Sequence, residues 1–263
     1  MSRKPIAIML CIAVVAALLI YNSDAMKEAR FINTLGARNI EARGGAAVWE
    51  AVGSLRLAGQ MDLGQEMVVP YVLEQKRPDK MCFEFEFDGE TAVQCADGET
   101  GWKFPPFLGR TAPEAMTEAE LRETADGAEP YGPLYNYAAR GSDVELVGRE
   151  TLDGRDVFKL KVTLAMGGVR WLYLDAETAL EVKMETTRTV AGRERRVETV
   201  YSDWRQTDGL LIAHRQDTRT AGDTDSHFLT VDSVTVNPPL DDARFKMPVS
   251  LNASSGSIQG STS

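Results

Sequence analysis

The chain has 263 residues, 43% of them apolar, which is enough for a substantial core and excludes a disordered polypeptide. Its 39 acidic residues against 29 basic ones give a formal charge of −10, which argues against nucleic acid or anionic lipid surfaces as main partners, since both attract Lys/Arg clusters. The one basic cluster, "GRERRVE" at 192–198, is short, interleaved with acids, and reads as a solvated hairpin end.

Residues 1–25 look like an export signal. Arg3 and Lys4 precede the uncharged run "PIAIMLCIAVVAALLI", and Ser23 and Ala25 are placed like small residues before a cleavage point. The run is shorter than the roughly 20 residues that span a bilayer comfortably, which favours a cleaved signal peptide and a periplasmic protein. The alternative is an uncleaved segment tethering the protein to the inner membrane. Cleavage removes Arg3, Lys4, Asp24 and Cys11, leaving a formal charge of −11 and two cysteines, Cys82 and Cys95.

In chain order, two helical stretches come first, "MKEARFINTLGARNIEA" and "AAVWEAVGS", separated by Gly44-Gly45. "SLRLAGQMDL" and "EMVVPYVLEQKR" then form a hairpin around Gly64-Gln65, in which Pro70 removes a ladder donor and marks an edge or bulge. "MCFEFEFD" and "ETAVQCA" flank Asp88-Gly89. If that dipeptide forms the two-residue type I′ turn it favours, Phe87 faces Glu90 and Cys82 faces Cys95 at a non-hydrogen-bonded position, where side chains approach most closely. The pair is a candidate disulfide across a solvent-facing side of the hairpin; two unrelated half-buried thiols are the alternative. The same register puts Phe83, Phe85 and Phe87 on the other face.

"TGWKF" continues the sheet after Asp97-Gly98. Thr117 with Glu120 forms a capping box and starts a helix over about 118–126, and "GPLYNYAAR" is a second short helical candidate. Strands resume at "DVELVGRETL" and "RDVFKLKVTLA" around Asp153-Gly154, followed by "VRWLYLD", "ALEVKMETTRTV", "RRVETVYSDWRQT", "LLIAHRQDTR" and "SHFLTVDSVTVN". About ten or eleven short strands at hairpin spacing imply a mainly β chain with a few helices, built on one large antiparallel sheet, closed or strongly curved. The expected organisation is a signal or anchor at 1–25, a single domain at 26–248 and a disordered tail at 249–263.

Catalytic signatures are missing. His214 and His227 fall on separate strands without a paired ligand motif, and there is no Gly-x-Ser-x-Gly elbow, phosphate-binding glycine loop or Cys-x-x-Cys. Apolar residues instead recur at period two, including Leu160 and Val162, Trp171 and Tyr173, and Val182 and Met184. On a curved sheet these residues, with Phe83, Phe85 and Phe87, line the concave side; an ordinary filled core and a ligand cavity both remain open.

The stretches "IEARGG", "LEQKRPDKM", "ADGETGWKFPPFLG", "GPLYNY", "VELVGRETLDGRDVFKLKVTL", "WLYLDAETALEVKMETTRTVAG" and "DDARFKMP" together resemble the outer-membrane lipoprotein-sorting proteins of the LolA/LolB-like periplasmic carrier superfamily. The resemblance implies an unclosed antiparallel barrel wrapped over a helical lid, with an apolar cavity for the acyl chains of lipoproteins. The expected function is that of a non-enzymatic carrier or chaperone, monomeric and without a cofactor, whose partners are a lipidated protein or lipid acyl chain and inner- or outer-membrane proteins. An envelope protein-interaction or sensing module that binds an apolar peptide or membrane protein is the alternative.

Overall fold

The structure, a computed structural model, describes residues 24–125, 127–128, 130–165, 167–190, 193–223 and 225–248. The expected signal and tail therefore lie outside the described residues, apart from residues 24 and 25. Helices α1 (residues 24–42) and α2 (Ala46–Glu50) precede β1 (Ser54–Asp62), β2 (Val68–Lys76), β3 (Lys80–Phe87), β4 (Glu90–Ala96), β5 (Gly101–Phe104) and β6 (Glu114–Ala115). Next come α3 (Glu118–Ala125), β7 (Asp143–Leu152), β8 (Arg155–Thr163), β9 (Val169–Asp175), β10 (Glu181–Val190), β11 (Arg193–Thr207), β12 (Leu210–Thr220) and β13 (Ser226–Val236).

Among the described residues the sheet has thirteen antiparallel strands in the order β6-β5-β4-β3-β2-β1-β13-β12-β11-β10-β9-β8-β7, and it does not close. Thirteen exceeds the expected ten or eleven: each of the twelve segments named from the sequence forms a separate strand, and the one not named is the two-residue β6, too short to show any periodicity. The chain divides into two compact units, Met1–Trp49 with Tyr131–Thr224, and Glu50–Pro130 with Asp225–Ser263.

In the first unit, α1 ends in a Schellman motif. Gly45 N–H donates to Ile40 O at 2.9 Å and Gly44 N–H to Glu41 O at 3.1 Å, with Gly44 at φ +117°. Ile32 and Leu35 of α1 pack with Leu160, Val162, Leu172 and Leu174 into a closed core. Full burial of each such side chain contributes roughly 1.5–3 kcal/mol. "GPLYNYAAR" forms turns, not the expected helix, because Gly132 and Asn136 adopt φ of +78° and +50°. Leu134 is nevertheless buried in this core, with Tyr137 packed against it.

The second unit contains the hairpin of β3 and β4. Asp88 and Gly89 at φ +53° and +76° fit the primed turn, and Cys82 pairs with Cys95 in the expected register. The disulfide is present, with Cα atoms 4.1 Å apart. The expectation that it faces solvent is wrong: both cysteines are 0% exposed, packed against Trp102 and Phe245. Their cover is the 3-10 turn Asp242–Phe245, about 160 residues from Cys82 in sequence and invisible to hairpin arithmetic. Asp242 pairs with Lys76 at 2.6 Å and Lys80 at 3.3 Å, Arg244 pairs with Glu74 at 3.1 Å and Glu84 at 2.7 Å, and Trp102 Nε1 donates to Phe245 O at 3.0 Å. Pro70 sits on β2 beyond the last residue paired with β3, so its missing N–H falls at a local edge.

Candidate functional site

On the face of the second unit opposite the disulfide, β3 presents Phe83, Phe85 and Phe87 in alternation, as expected. Register brings Leu73 and Tyr71 of β2 beside Phe83 and Phe85, and Gln94 and Ala92 of β4 on their other side. The rings form a continuous run. Tyr71 stacks on Phe83 at 5.4 Å, Phe83 meets Phe85 at 6.3 Å, and Phe107 of the turn Pro106–Leu108 lies 5.7 Å from Phe85 and 5.4 Å from Phe87.

The three phenylalanines are half-buried, and Leu108 beside Phe107 is 68% exposed. Polar clamps hold one end: Gln94 Nε2 donates to Thr124 Oγ1 of α3 at 2.5 Å, and Gln75 Nε2 to Gly127 O at 2.6 Å. The α3 helix itself begins with the expected capping box, Thr117 N–H donating to Glu120 Oε2 at 2.9 Å. Burial, reinforced by Asp232, pushes the Tyr71 hydroxyl up to about 12, so this surface stays neutral at physiological pH. Tyr71 and Phe107 were missed in the sequence. The alternation of Val69, Tyr71 and Leu73 was a legible signal, whereas Phe107 on a turn had none.

The first unit does not bring its predicted residues together. Leu160 and Val162 belong to the core under α1, and Met184 packs half-buried against it. Trp171 and Tyr173 pair with Lys161 and Lys159, while Leu172 pairs with Leu160, so the two aromatic residues lie on the opposite face of the sheet. Val182 sits at the register shift between Glu181 and Lys183.

Around Tyr173 the opposite face carries a charged network. Glu185, 1% exposed, accepts from Tyr173 Oη at 2.9 Å and pairs with Lys183 at 2.7 Å and with Arg196. Lys183 and Lys159 lie 4.3 and 5.1 Å from the Tyr173 ring centroid. Burial alone would raise the Glu185 carboxyl, but hydrogen bonds from Lys183, Tyr173 and Arg196 outweigh it and hold the group below the usual glutamate range. With both carboxylate oxygens engaged, Glu185 is a structural anchor.

A second buried pair stands on the α1 side of the unit. Arg43 lies 3.5 Å from Glu181, donates to Tyr131 O at 2.6 Å, and stacks over Trp49 at 4.7 Å. Burial and Glu181 push the nearby Tyr201 hydroxyl up to about 12. Of the two histidines, His214 is buried on β12, and His227 on β13 stands 4.0 Å from Asp62.

No protein-family model and no curated protein matches the sequence. Solved structures do match. A LolA superfamily protein from Nitrosomonas europaea superposes with a TM-score of 0.57 at 15% identity, covering 79% of this chain and 95% of its own. A DUF1329 family protein from Desulfovibrio piger gives 0.58 at 12% identity, covering 83% and 97%. A putative outer-membrane lipoprotein-sorting protein domain from Vibrio parahaemolyticus gives 0.56 at 16%, covering 84% and 97%. At such identities the likeness speaks for architecture, and with the open thirteen-stranded sheet it leads to one conclusion: this chain has the fold of the LolA superfamily and outer-membrane lipoprotein-sorting proteins.

Proposed function

We propose that the protein is a non-enzymatic carrier or chaperone that shields the acyl chains of lipoproteins or lipids from water. The observation that carries this reading is the run of half-buried rings of Phe83, Phe85, Phe107 and Phe87, backed by buried Tyr71, whose hydroxyl stays neutral at physiological pH. A chain of about 16 carbons at roughly 0.8 kcal/mol per methylene releases on the order of 10 kcal/mol before ordering costs, enough for carriage through an aqueous compartment. Phe83, Phe85 and Phe87 are the contact residues of this surface, and Met184 stands half-buried on its own unit's core face. Leu160 and Val162 pack beneath Met184 in that core.

The putative lipoprotein-sorting domain among the structural relatives makes lipoproteins the natural cargo. In this reading residues 1–25 export the protein to the periplasm or tether it there, residues 26–248 work as the carrier domain, and the protein acts as a monomer alongside membrane proteins that load and unload it. The test is native mass spectrometry of protein exported in its own host and purified without detergent, together with titration of a fluorescent fatty acid. Co-purified lipid, or uptake that Phe83→Ala and Phe85→Ala weaken, supports carriage. Neither lipid nor probe binding overturns it.

A further inference from the structure

The hairpin of β10 and β11 sorts its charges by face. Pairing sets Arg188 directly opposite Arg195, with Arg193 two residues on and Arg170 of β9 beside Thr186. All four arginines share the face that carries Met184, because Met184 pairs with Leu172 and Thr199 in the same registers. Of the acids on this hairpin, Glu185, Glu194 and Glu198 fall on the other face, where Arg196 already serves Glu185, while Glu181 at the start of β10 shares the Met184 face and is held by buried Arg43. Directly opposed like charges weaken a sheet, so the placement of Arg188 against Arg195 works against folding unless something offsets it.

Asp223 pairs with Arg195 at 2.9 Å, but the side chains of Arg188 and Arg193 have no hydrogen bond or ion pair among the described residues, and both residues are exposed. From the core toward the arginines the same face carries Met184 beside the hydroxyl pair Thr199–Thr218, with oxygens 3.1 Å apart, and then buried Val197 between Thr186 and Thr220. Apolar side chains flanked by hydroxyl groups, followed by guanidinium groups, match the polarity of an amphiphile with an anionic end.

We propose that Arg170, Arg188, Arg193 and Arg195 form a binding site for the anionic headgroup, phosphate or carboxylate, of an acyl lipid. Guanidinium groups present paired donors that match both oxyanions, and here they stand on a chain whose net charge of −10 repels anions elsewhere. The assignment rests on the carrier reading and gives it a substrate class.

The test incubates the full exported protein with vesicles of dioleoyl phosphatidylglycerol or of dioleoyl phosphatidylcholine, removes the vesicles by flotation, and measures lipid left on the protein. Inorganic phosphate alone is a competing third arm. Wild type should take up the anionic lipid about tenfold over the zwitterionic one, the weight of one lost charge-assisted contact. The double variant Arg188→Ser/Arg193→Ser should lose that preference while still taking up phosphatidylcholine, and Arg219→Ser, paired with Glu198 on the other face, should keep it.

Equal uptake of both lipids by wild type, or a preference that survives the double substitution, overturns the headgroup site and leaves carriage standing. Competition by inorganic phosphate against both lipids alike also overturns it, since the anion would then act away from the headgroup. Uptake of neither lipid overturns carriage and the headgroup site together.

Discussion

Replacing both cysteines by alanine tests what the disulfide contributes and what its cover does. The two residues are 13 apart in sequence, and opening a closed loop of that size returns about 3 kcal/mol of chain entropy to the unfolded state. Both sulfurs are also fully buried against Trp102 and Phe245, and their loss leaves unfilled space worth about 1 kcal/mol each when the surroundings do not collapse. Cys82→Ala/Cys95→Ala should therefore lower the unfolding free energy by about 3–5 kcal/mol, measured by urea titration with midpoint and slope both fitted. Because exchange requires a thiolate to reach the sulfur, native protein should resist reductant until the Asp242–Phe245 turn opens, and Phe245→Ala should speed reduction at least about tenfold. A double variant within about 1 kcal/mol of wild type would refute the loop-entropy reasoning. Reduction of the Phe245 variant at the wild-type rate would refute the cover.

Other predictions come from the same contacts. Phe83→Ala and Phe85→Ala should each weaken fatty-acid binding by about tenfold, since half-burial realises about half of the roughly 3 kcal/mol of a fully buried phenylalanine, and probe titration reads it directly. Glu185→Gln should cost about 1–3 kcal/mol at neutral pH by removing the charge that Lys183 and Arg196 face. Its folded-state affinity for the proton is depressed, so in wild type the contribution is fully present above the ordinary glutamate value of 4.5 and lost as pH falls through the lower folded value. Urea midpoints from pH 7 downward should show a shallower acid limb in the Glu185→Gln protein. Gly44→Ala places a Cβ 2.0 Å from Gly209 O at φ +117°, and thermal melting should show a loss of about 3 kcal/mol or more.

How much of this was legible depends on how far each constraint reaches along the chain. Asp88-Gly89 fixes the register of β3 and β4 locally, so the Cys82–Cys95 pair and the shared face of Phe83, Phe85 and Phe87 followed from counting. What covers a face is decided by distant segments. Arg244 and Phe245 come back over the cysteines, and α1 comes back over Leu160 and Val162, without any trace in those strands. The phase of β9 was lost for a different reason. "VRWLYLD" is apolar on both faces, because Tyr173 is buried under Lys159 and Lys183 while Leu172 and Leu174 fill the core, and the register shift at Glu181–Lys183 carries the ambiguity into β10.

The same period of two reverses the meaning of the basic cluster at 192–198. In a loop or helix, arginines interleaved with glutamates neutralise one another, which is how "GRERRVE" reads as a solvated end. In a strand, neighbours in sequence point to opposite faces, so Arg193 and Arg195 share one side while Glu194, Arg196 and Glu198 share the other. Interleaving along the chain thus becomes segregation across the sheet. A net charge of −10 then says little about any one face, and an acidic protein can hold a cationic surface beside Met184 without a single run of basic residues to announce it.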